Sequence, residues 1–199
     1  MQGNALTGGF ENAPIDAAHA FRAALNAMAR PGRIYTITGA TPPAPLSKAA
    51  GTLLLTLADA ETPVYLAPSH DLPELRDWLT FHTGAPLCGP QEAVFAVGGW
   101  SALQPLKAYR IGEPEYPDRS ATLIVEVGVL CKDAGATLTG PGIEVSETLR
   151  LPKVTAFQNN AALFPLGLDF YFTAGDELAA LPRTTKVTAT AENSEMGAV

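Results

Sequence analysis

Helical and strand patterns alternate along the first half of this chain, and this alternation restricts the fold more than any other feature. Apolar residues at helical spacing predict three helices, over 15–30, from Ser47 to Asp59, and from Asp71 to Phe81. Short β-branched and apolar runs predict strands between them, at 33–37, 64–67 and 94–97, and strand patterns cluster after residue 120. Because helices that alternate with strands pack on a sheet, we expect an α/β domain with a mixed sheet flanked by helices.

The three helices carry signals for their ends and for their buried faces. The first is expected to bury one apolar face, which carries Ile15, Ala18, Phe21, Leu25 and Met28. Ser47 is predicted to cap the second helix, which is apolar on nearly every side and should be buried or lie at an interface. Asp71 and Glu74, three residues apart, predict a capping box for the third helix.

Length and composition indicate one domain that works with partners. A chain of 199 residues suits a single α/β domain, predicted here over 14–188, with an N-terminal arm at 1–13 and a flexible tail at 189–199. Charged residues make up only 17% of the chain, which is low for a solitary domain and favours a subunit of an oligomer or complex.

The net charge of −7 argues against a broad nucleic-acid-binding face. No signal peptide and no apolar run of membrane-spanning length is present, so we expect a cytoplasmic protein. Two free thiols are expected at Cys88 and Cys131, with a disulfide between them as the alternative.

Several kinds of active site lack support in the sequence. The three histidines, His19, His70 and His82, are not spaced as metal ligands, so no metal site is expected. Neither a GxSxG motif nor a Gly-rich phosphate loop occurs. None of the five lysines lies in a sequence typical of a pyridoxal phosphate (PLP) Schiff base, and no catalytic residue can be assigned.

A stiff, charged loop precedes the strongest β pattern. Pro114 and Pro117 restrict the backbone, and they should hold the polar residues of 113–119 in one arrangement. Such loops at strand ends often form sites, although a hairpin with a stiff entry loop explains the pattern equally well.

Four arginines lie in constrained turns and could together bind an anion, because a fixed guanidinium fork matches phosphate or carboxylate. The anion-binding candidates are Arg30, Arg33, Arg119, Ser120, Arg183 and Thr184. Candidates for a supporting role around them are Asp59, Glu61, His82, Glu115, Tyr116 and Asp118. The alternative is that each arginine pairs with a neighbouring carboxylate, such as Asp59, Glu61, Glu115 or Asp118.

Seven short motifs follow one another in a specific order. They are Ala-Phe-Arg-Ala at 20–23 leading to Met-Ala-Arg-Pro-Gly at 28–32, Leu-Leu-Leu-Thr-Leu-Ala-Asp-Ala-Glu-Thr-Pro-Val at 53–64, Phe-His-Thr-Gly-Ala-Pro at 81–86, Tyr-Pro-Asp-Arg-Ser-Ala-Thr-Leu at 116–123, Leu-Thr-Gly-Pro-Gly-Ile at 138–143, Phe-Pro-Leu-Gly-Leu-Asp at 164–169 and Leu-Pro-Arg-Thr-Thr at 181–185. This ordered set resembles the H subunit of the bacterial carbon–phosphorus lyase core complex, a family used in phosphonate utilisation.

The resemblance implies a fold similar to PLP-dependent transferases, an α/β/α sandwich around a mixed sheet, but without PLP. It also implies a homodimer that joins the G, I and J subunits. That complex makes alpha-D-ribose 1-methylphosphonate 5-triphosphate from ATP and an alkylphosphonate, with release of adenine. The H subunit is expected to be a non-catalytic scaffold that docks the I subunit. The alternative is an anion-binding subunit whose own arginine-lined pocket contributes to catalysis.

Overall fold

The computed structural model describes residues 7–133 and 135–190. Within them the helices are α1 (Ala13–Ala29), α2 (Lys48–Leu57), α3 (Pro73–Thr83) and α4 (Val154–Ala161), with a 3₁₀ turn at Leu106–Ala108. The strands are β1 (Tyr35–Thr36), β2 (Val64–Leu66), β3 (Phe95–Gly99), β4 (Ile111–Glu113), β5 (Tyr116–Ser120), β6 (Thr122–Glu126), β7 (Ala136–Thr139), β8 (Glu147–Leu149), β9 (Asp169–Ala174), β10 (Glu177–Leu181) and β11 (Lys186–Thr188).

Six strands form the central sheet, in the order β1-β10-β9-β6-β3-β2. Strands β2, β3, β6 and β9 run parallel, and β10 and β1 continue the sheet antiparallel to them. This confirms the predicted α/β class and its mixed sheet. Strand β10 was not predicted, because its sequence Glu-Leu-Ala-Ala-Leu favours a helix when read locally.

The two faces of the central sheet are covered differently. Helices α1, α2 and α3 pack on one face, where Leu53 and Trp78 are fully buried. The other face is covered by α4, whose Phe157 packs on Phe170 and Phe172, and by the small sheet β11-β7-β8. The second small sheet, β4-β5, is a hairpin, which is the simpler of the two interpretations of the stiff loop.

Helix α1 buries a different face from the predicted one. The buried residues are the alanines Ala20, Ala24 and Ala27, and the Tyr171 hydroxyl donates a hydrogen bond to the Ala24 carbonyl at 3.3 Å. Ile15, Phe21 and Leu25, which were expected in the core, are 53%, 52% and 56% exposed. The prediction was wrong because the alanine face has the same helical spacing as the large residues, and small side chains let α1 approach its neighbours closely.

The predicted N-terminal cap is confirmed for α2 but not for α3. Ser47 caps α2, since its hydroxyl accepts a hydrogen bond from the Ala50 amide at 3.1 Å. The capping box predicted for α3 is wrong: Leu72 occupies the N-cap position, and the Asp71 carboxylate pairs with the Arg76 guanidinium instead. Pro73 begins α3, where its missing N–H costs nothing.

The described part of the predicted arm contacts the domain. The Thr7 carbonyl accepts a hydrogen bond from the Trp78 indole at 3.0 Å, and the Gly8 carbonyl accepts one from the Thr41 amide at 2.8 Å. Residues 1–6 of the arm, and the predicted tail from residue 191 onward, lie outside the described residues.

Candidate functional site

Arg183 connects three segments at the end of the central sheet where β6 and β9 begin. Its Nη2 donates to the Asp169 Oδ2 at 2.5 Å and to the Ser120 hydroxyl, and its Nε donates to the Asp169 Oδ1 at 3.2 Å. Its Nη1 donates to the Pro117 carbonyl at 2.7 Å, and its own amide donates to Asp169. The guanidinium therefore joins the turn after β10 to β9 and to the β5–β6 junction.

This use of Arg183 leaves it little capacity for a ligand. A guanidinium has five N–H donors, and four of the five are engaged here. The Arg183 side chain is 11% exposed and that of Asp169 is 23% exposed. Arg183 and Ser120 were both predicted as anion-binding candidates, and in the structure they bind each other.

Arg33 is paired in a similar way on the surface. Its Nε lies 3.1 Å from the Glu147 Oε1, and Lys132 Nζ lies 2.8 Å from the Glu147 Oε2. The hydrogen bond from Lys132, together with the bond and charge of Arg33, holds the pKa of Glu147 below its ordinary value.

The other two arginines are less engaged. The Arg119 guanidinium lies 3.9 Å from the centre of the Tyr116 ring, a cation–π contact within the β4–β5 hairpin. Asp118 and Glu115 are exposed on the same hairpin. Arg30 is exposed at the end of α1, and within the described residues its side chain has no hydrogen bond or ion pair.

Two of the turns that carry candidate residues lie against the Gly-Pro-Gly turn at 140–142. A Cβ on Gly142 would come within 2.0 Å of the Ala29 carbonyl oxygen, so the turn at 140–142 packs directly on the end of α1. A Cβ on Gly140 would lie 3.2 Å from the Thr184 carbonyl oxygen. The turns at 30–33 and 182–185 therefore flank the Gly-Pro-Gly turn. The hydrogen bond from Arg183 to the Pro117 carbonyl joins the 182–185 turn to a fourth segment, at Pro117. We call these four segments the arginine rim.

The remaining supporting candidates belong to other parts of the fold. Asp59 closes a local turn, since its Oδ1 accepts hydrogen bonds from the Glu61 amide at 2.9 Å and the Thr62 hydroxyl at 3.1 Å. The His82 ring packs on Trp78 and Phe81 at the end of α3, and its Nε2 lies 3.4 Å from the Thr7 carbonyl.

The partners of the arginines could not be identified from the sequence. We expected carboxylates close in sequence, but Arg33 uses Glu147, 114 residues away, and Arg183 uses Asp169. Only the sheet order, which places β9 and β10 side by side, brings the latter pair together. No cluster of His, Cys, Asp or Glu in residues 7–133 and 135–190 could hold a metal ion, and no helix there could span a membrane.

Comparison with known proteins gives one family and two relatives. Residues 8–188 match the family model described as bacterial phosphonate metabolism protein (PhnH). The chain is 39% identical to the alpha-D-ribose 1-methylphosphonate 5-triphosphate synthase subunit PhnH of Rhizobium meliloti (strain 1021), over 94% of this chain and 97% of that protein. It is 29% identical to HtxG of Stutzerimonas stutzeri, named provisionally as a C-P lyase subunit protein, over 84% of each chain.

Proposed function

Since this chain belongs to the family of bacterial phosphonate metabolism proteins named PhnH, we propose that it is a subunit of alpha-D-ribose 1-methylphosphonate 5-triphosphate synthase. We propose further that it acts there as a dimeric scaffold that docks the I subunit, and that it joins the G and J subunits in the same core. The exposed apolar face of α1 is the observation that carries the scaffold role.

The apolar face of α1 consists of Ile15, Ala18, Phe21 and Leu25. These residues follow one another at intervals of three, three and four, so they form one stripe along the helix. The three large side chains are each more than half exposed. A contiguous apolar patch of this kind is typical of a surface that a partner protein covers.

A second copy of the chain suits this surface as its partner. Glu11 is exposed just before α1 begins, and Arg30 is exposed where α1 ends. When two copies of α1 cross antiparallel, Glu11 of each copy comes near Arg30 of the other, and the two apolar stripes face each other. Such an isologous contact uses one patch twice, as two-fold dimers do.

An omission experiment tests the role in the synthase. The G, I and J subunits are combined with ATP and methylphosphonate, with and without this chain, and adenine release is measured. We expect adenine release only when the chain is present. Equal release in its absence would contradict the proposed function.

We propose that the chain works in the cytoplasm and without PLP, on a scaffold similar in fold to PLP-dependent transferases. All five lysines are exposed, whereas a Schiff-base lysine is usually held in a buried pocket. Addition of PLP should therefore leave the protein colourless. A stable yellow complex, lost on changing one lysine to alanine, would contradict this.

A second candidate function is anion binding at the arginine rim. It is supported by the adjacency of the turns, by the exposed cations Arg30 and Arg119, and by the neighbouring Thr184. Against it, Arg33 and Arg183 already have carboxylate partners. Titration of the isolated chain with ATP and with methylphosphonate tests this second function. Binding that weakens in Arg119→Ala would support a site at the arginine rim. No binding by the wild type would rule out such a site in the isolated chain.

A further inference from the structure

The tip of the β4–β5 hairpin is a surface that the described part of the chain leaves uncovered. The two strands pair only with each other, as a sheet separate from the central one. Of residues 113–119, which we call the hairpin tip, all are exposed except the half-buried Pro117. Ser120, at the base of the hairpin, is buried.

The base of the hairpin is fixed to the domain on both strands. The Ile111 carbonyl, at the start of β4, accepts a hydrogen bond from the Gly167 amide at 2.9 Å. In β5, the Pro117 carbonyl and the Ser120 hydroxyl accept hydrogen bonds from the Arg183 guanidinium. The tip is therefore held in one position relative to the central sheet.

The backbone of the hairpin is also stiff. Gly112 has a φ of +85°, and a Cβ at this position would come within 2.6 Å of the Pro117 carbonyl oxygen, so only glycine allows this close approach. The rings of Pro114 and Pro117 restrict the chain between the two strands. Because the tip is ordered before it meets a partner, little conformational entropy is lost when it binds.

Tyr116 and Arg119 lie together on this tip. The Arg119 guanidinium is 3.9 Å from the centre of the Tyr116 ring, and Tyr116 is 48% exposed. Within the described residues neither side chain has a hydrogen bond or an ion pair, and an exposed cation–π contact adds little to stability. Tyrosine and arginine are, however, among the residues that contribute most to binding at protein interfaces.

The same tip carries an excess of negative charge. Glu113, Glu115 and Asp118 are exposed, and none of them forms an ion pair within residues 7–133 and 135–190. Three carboxylates thus accompany one arginine. This charge disfavours nucleic acid and anionic lipid as partners, and it complements a basic protein surface.

We propose that the hairpin tip is a docking surface for a protein that presents basic side chains around an apolar recess. Tyr116 enters the recess with Arg119 stacked on its ring, and the three carboxylates pair with the surrounding basic groups. A second copy of this chain does not suit the tip, because the chain carries a net charge of −7. The choice of the other core subunits as the source of this partner rests on the proposed function.

The first test measures how tightly the chain associates with the combined G, I and J subunits. Tyr116→Ser should weaken this association at least about tenfold, because it removes the side chain that fills the recess. Phe81→Ser removes an aromatic ring that is 59% exposed at the end of α3, and this control should associate as the wild type does. Gel filtration of each variant alone should give the wild-type mass, which separates loss of docking from loss of folding.

A second test measures the charge contribution independently of Tyr116. Added salt should weaken association of the wild type, and it should have a smaller effect on the double variant Glu115→Gln/Asp118→Asn, because fewer charges are then screened.

The outcomes separate this inference from the proposed function. If the wild type associates and Tyr116→Ser associates equally tightly, the docking surface is overturned while the subunit role stands. The same holds if the double variant has the salt dependence of the wild type. If the wild type does not associate with the other subunits at all, both the docking surface and the proposed function fail.

Discussion

Arg183 and Asp169 form a two-pronged ion pair between the turn that follows β10 and the first residue of β9. The same guanidinium also donates to Ser120 and to the Pro117 carbonyl. One side chain thus fixes the beginnings of two central strands relative to the β4–β5 hairpin. This structural role explains why Arg183 lies in the turn formed by the Leu-Pro-Arg-Thr-Thr motif at 181–185.

Arg183→Met tests that role. The substitution leaves the largely buried Asp169 carboxylate without its cation, so the free energy of unfolding should fall by about 3 kcal/mol. Chemical denaturation measures it. Arg119→Met, which loses only an exposed contact with Tyr116, is the matched control and should cost less than about 1 kcal/mol.

A double variant separates the ion pair from general damage at this position. Adding Asp169→Leu to Arg183→Met removes the unpaired charge, so the double variant should be less destabilised than the sum of the two single variants. Simple additivity would mean that the two side chains do not stabilise each other.

The buried face of α1 predicts effects of unequal size on stability at two adjacent positions. Ala24 is 1% exposed and packs close to Tyr171, so Ala24→Leu overfills the core and should lower the free energy of unfolding by about 1–3 kcal/mol. Leu25→Ala on the exposed face should change the stability of the monomer by less than about 0.5 kcal/mol. Thermal unfolding of the two variants at low protein concentration gives the comparison, and a larger loss for Leu25→Ala would contradict the observed helix orientation.

Glu147 predicts a pH dependence of known sign. Lys132 and Arg33 hold its pKa in the folded protein below the ordinary value of 4.5, so its stabilising effect is present above that pH and is lost as the pH falls through the folded-state pKa. Because the side chains of Arg33 and Lys132 are 50% and 42% exposed, Glu147→Gln should cost only about 0.5–1 kcal/mol at neutral pH. The difference from wild type should vanish in strong acid. A difference that is constant with pH would contradict this account.

Local signals in the sequence were sufficient for much of the fold but not for the long-range contacts. The Ser47 cap and the strands β2 and β3 follow from residues close in sequence, so they could be predicted. The buried face of α1 could not be predicted, because its alanines and its large apolar residues recur with the same helical period. Only the packing of α1 against the sheet decides which of the two faces is buried. The partners Glu147 and Asp169 depend on strand order, which no local pattern encodes.

The candidate site was predictable in its parts but not in its connections. The turns around Arg30, Arg119 and Arg183 were identified from proline and glycine, and the structure places the first and third beside the Gly140–Gly142 turn. The contact between Arg183 and Ser120 could not be predicted, because the two residues are 63 positions apart and meet only in the folded chain.

The mass of the isolated chain in solution tests the scaffold account most directly. Light scattering after gel filtration should give twice the chain mass of 20.8 kDa for the wild type and one chain mass for Leu25→Asp. Phe164→Asp, at an apolar position that is 60% exposed just after α4, on the opposite face of the central sheet from α1, is the control and should remain a dimer. A wild-type protein of 20.8 kDa, or a Leu25→Asp variant that still dimerises, would contradict the claim that α1 forms the dimer.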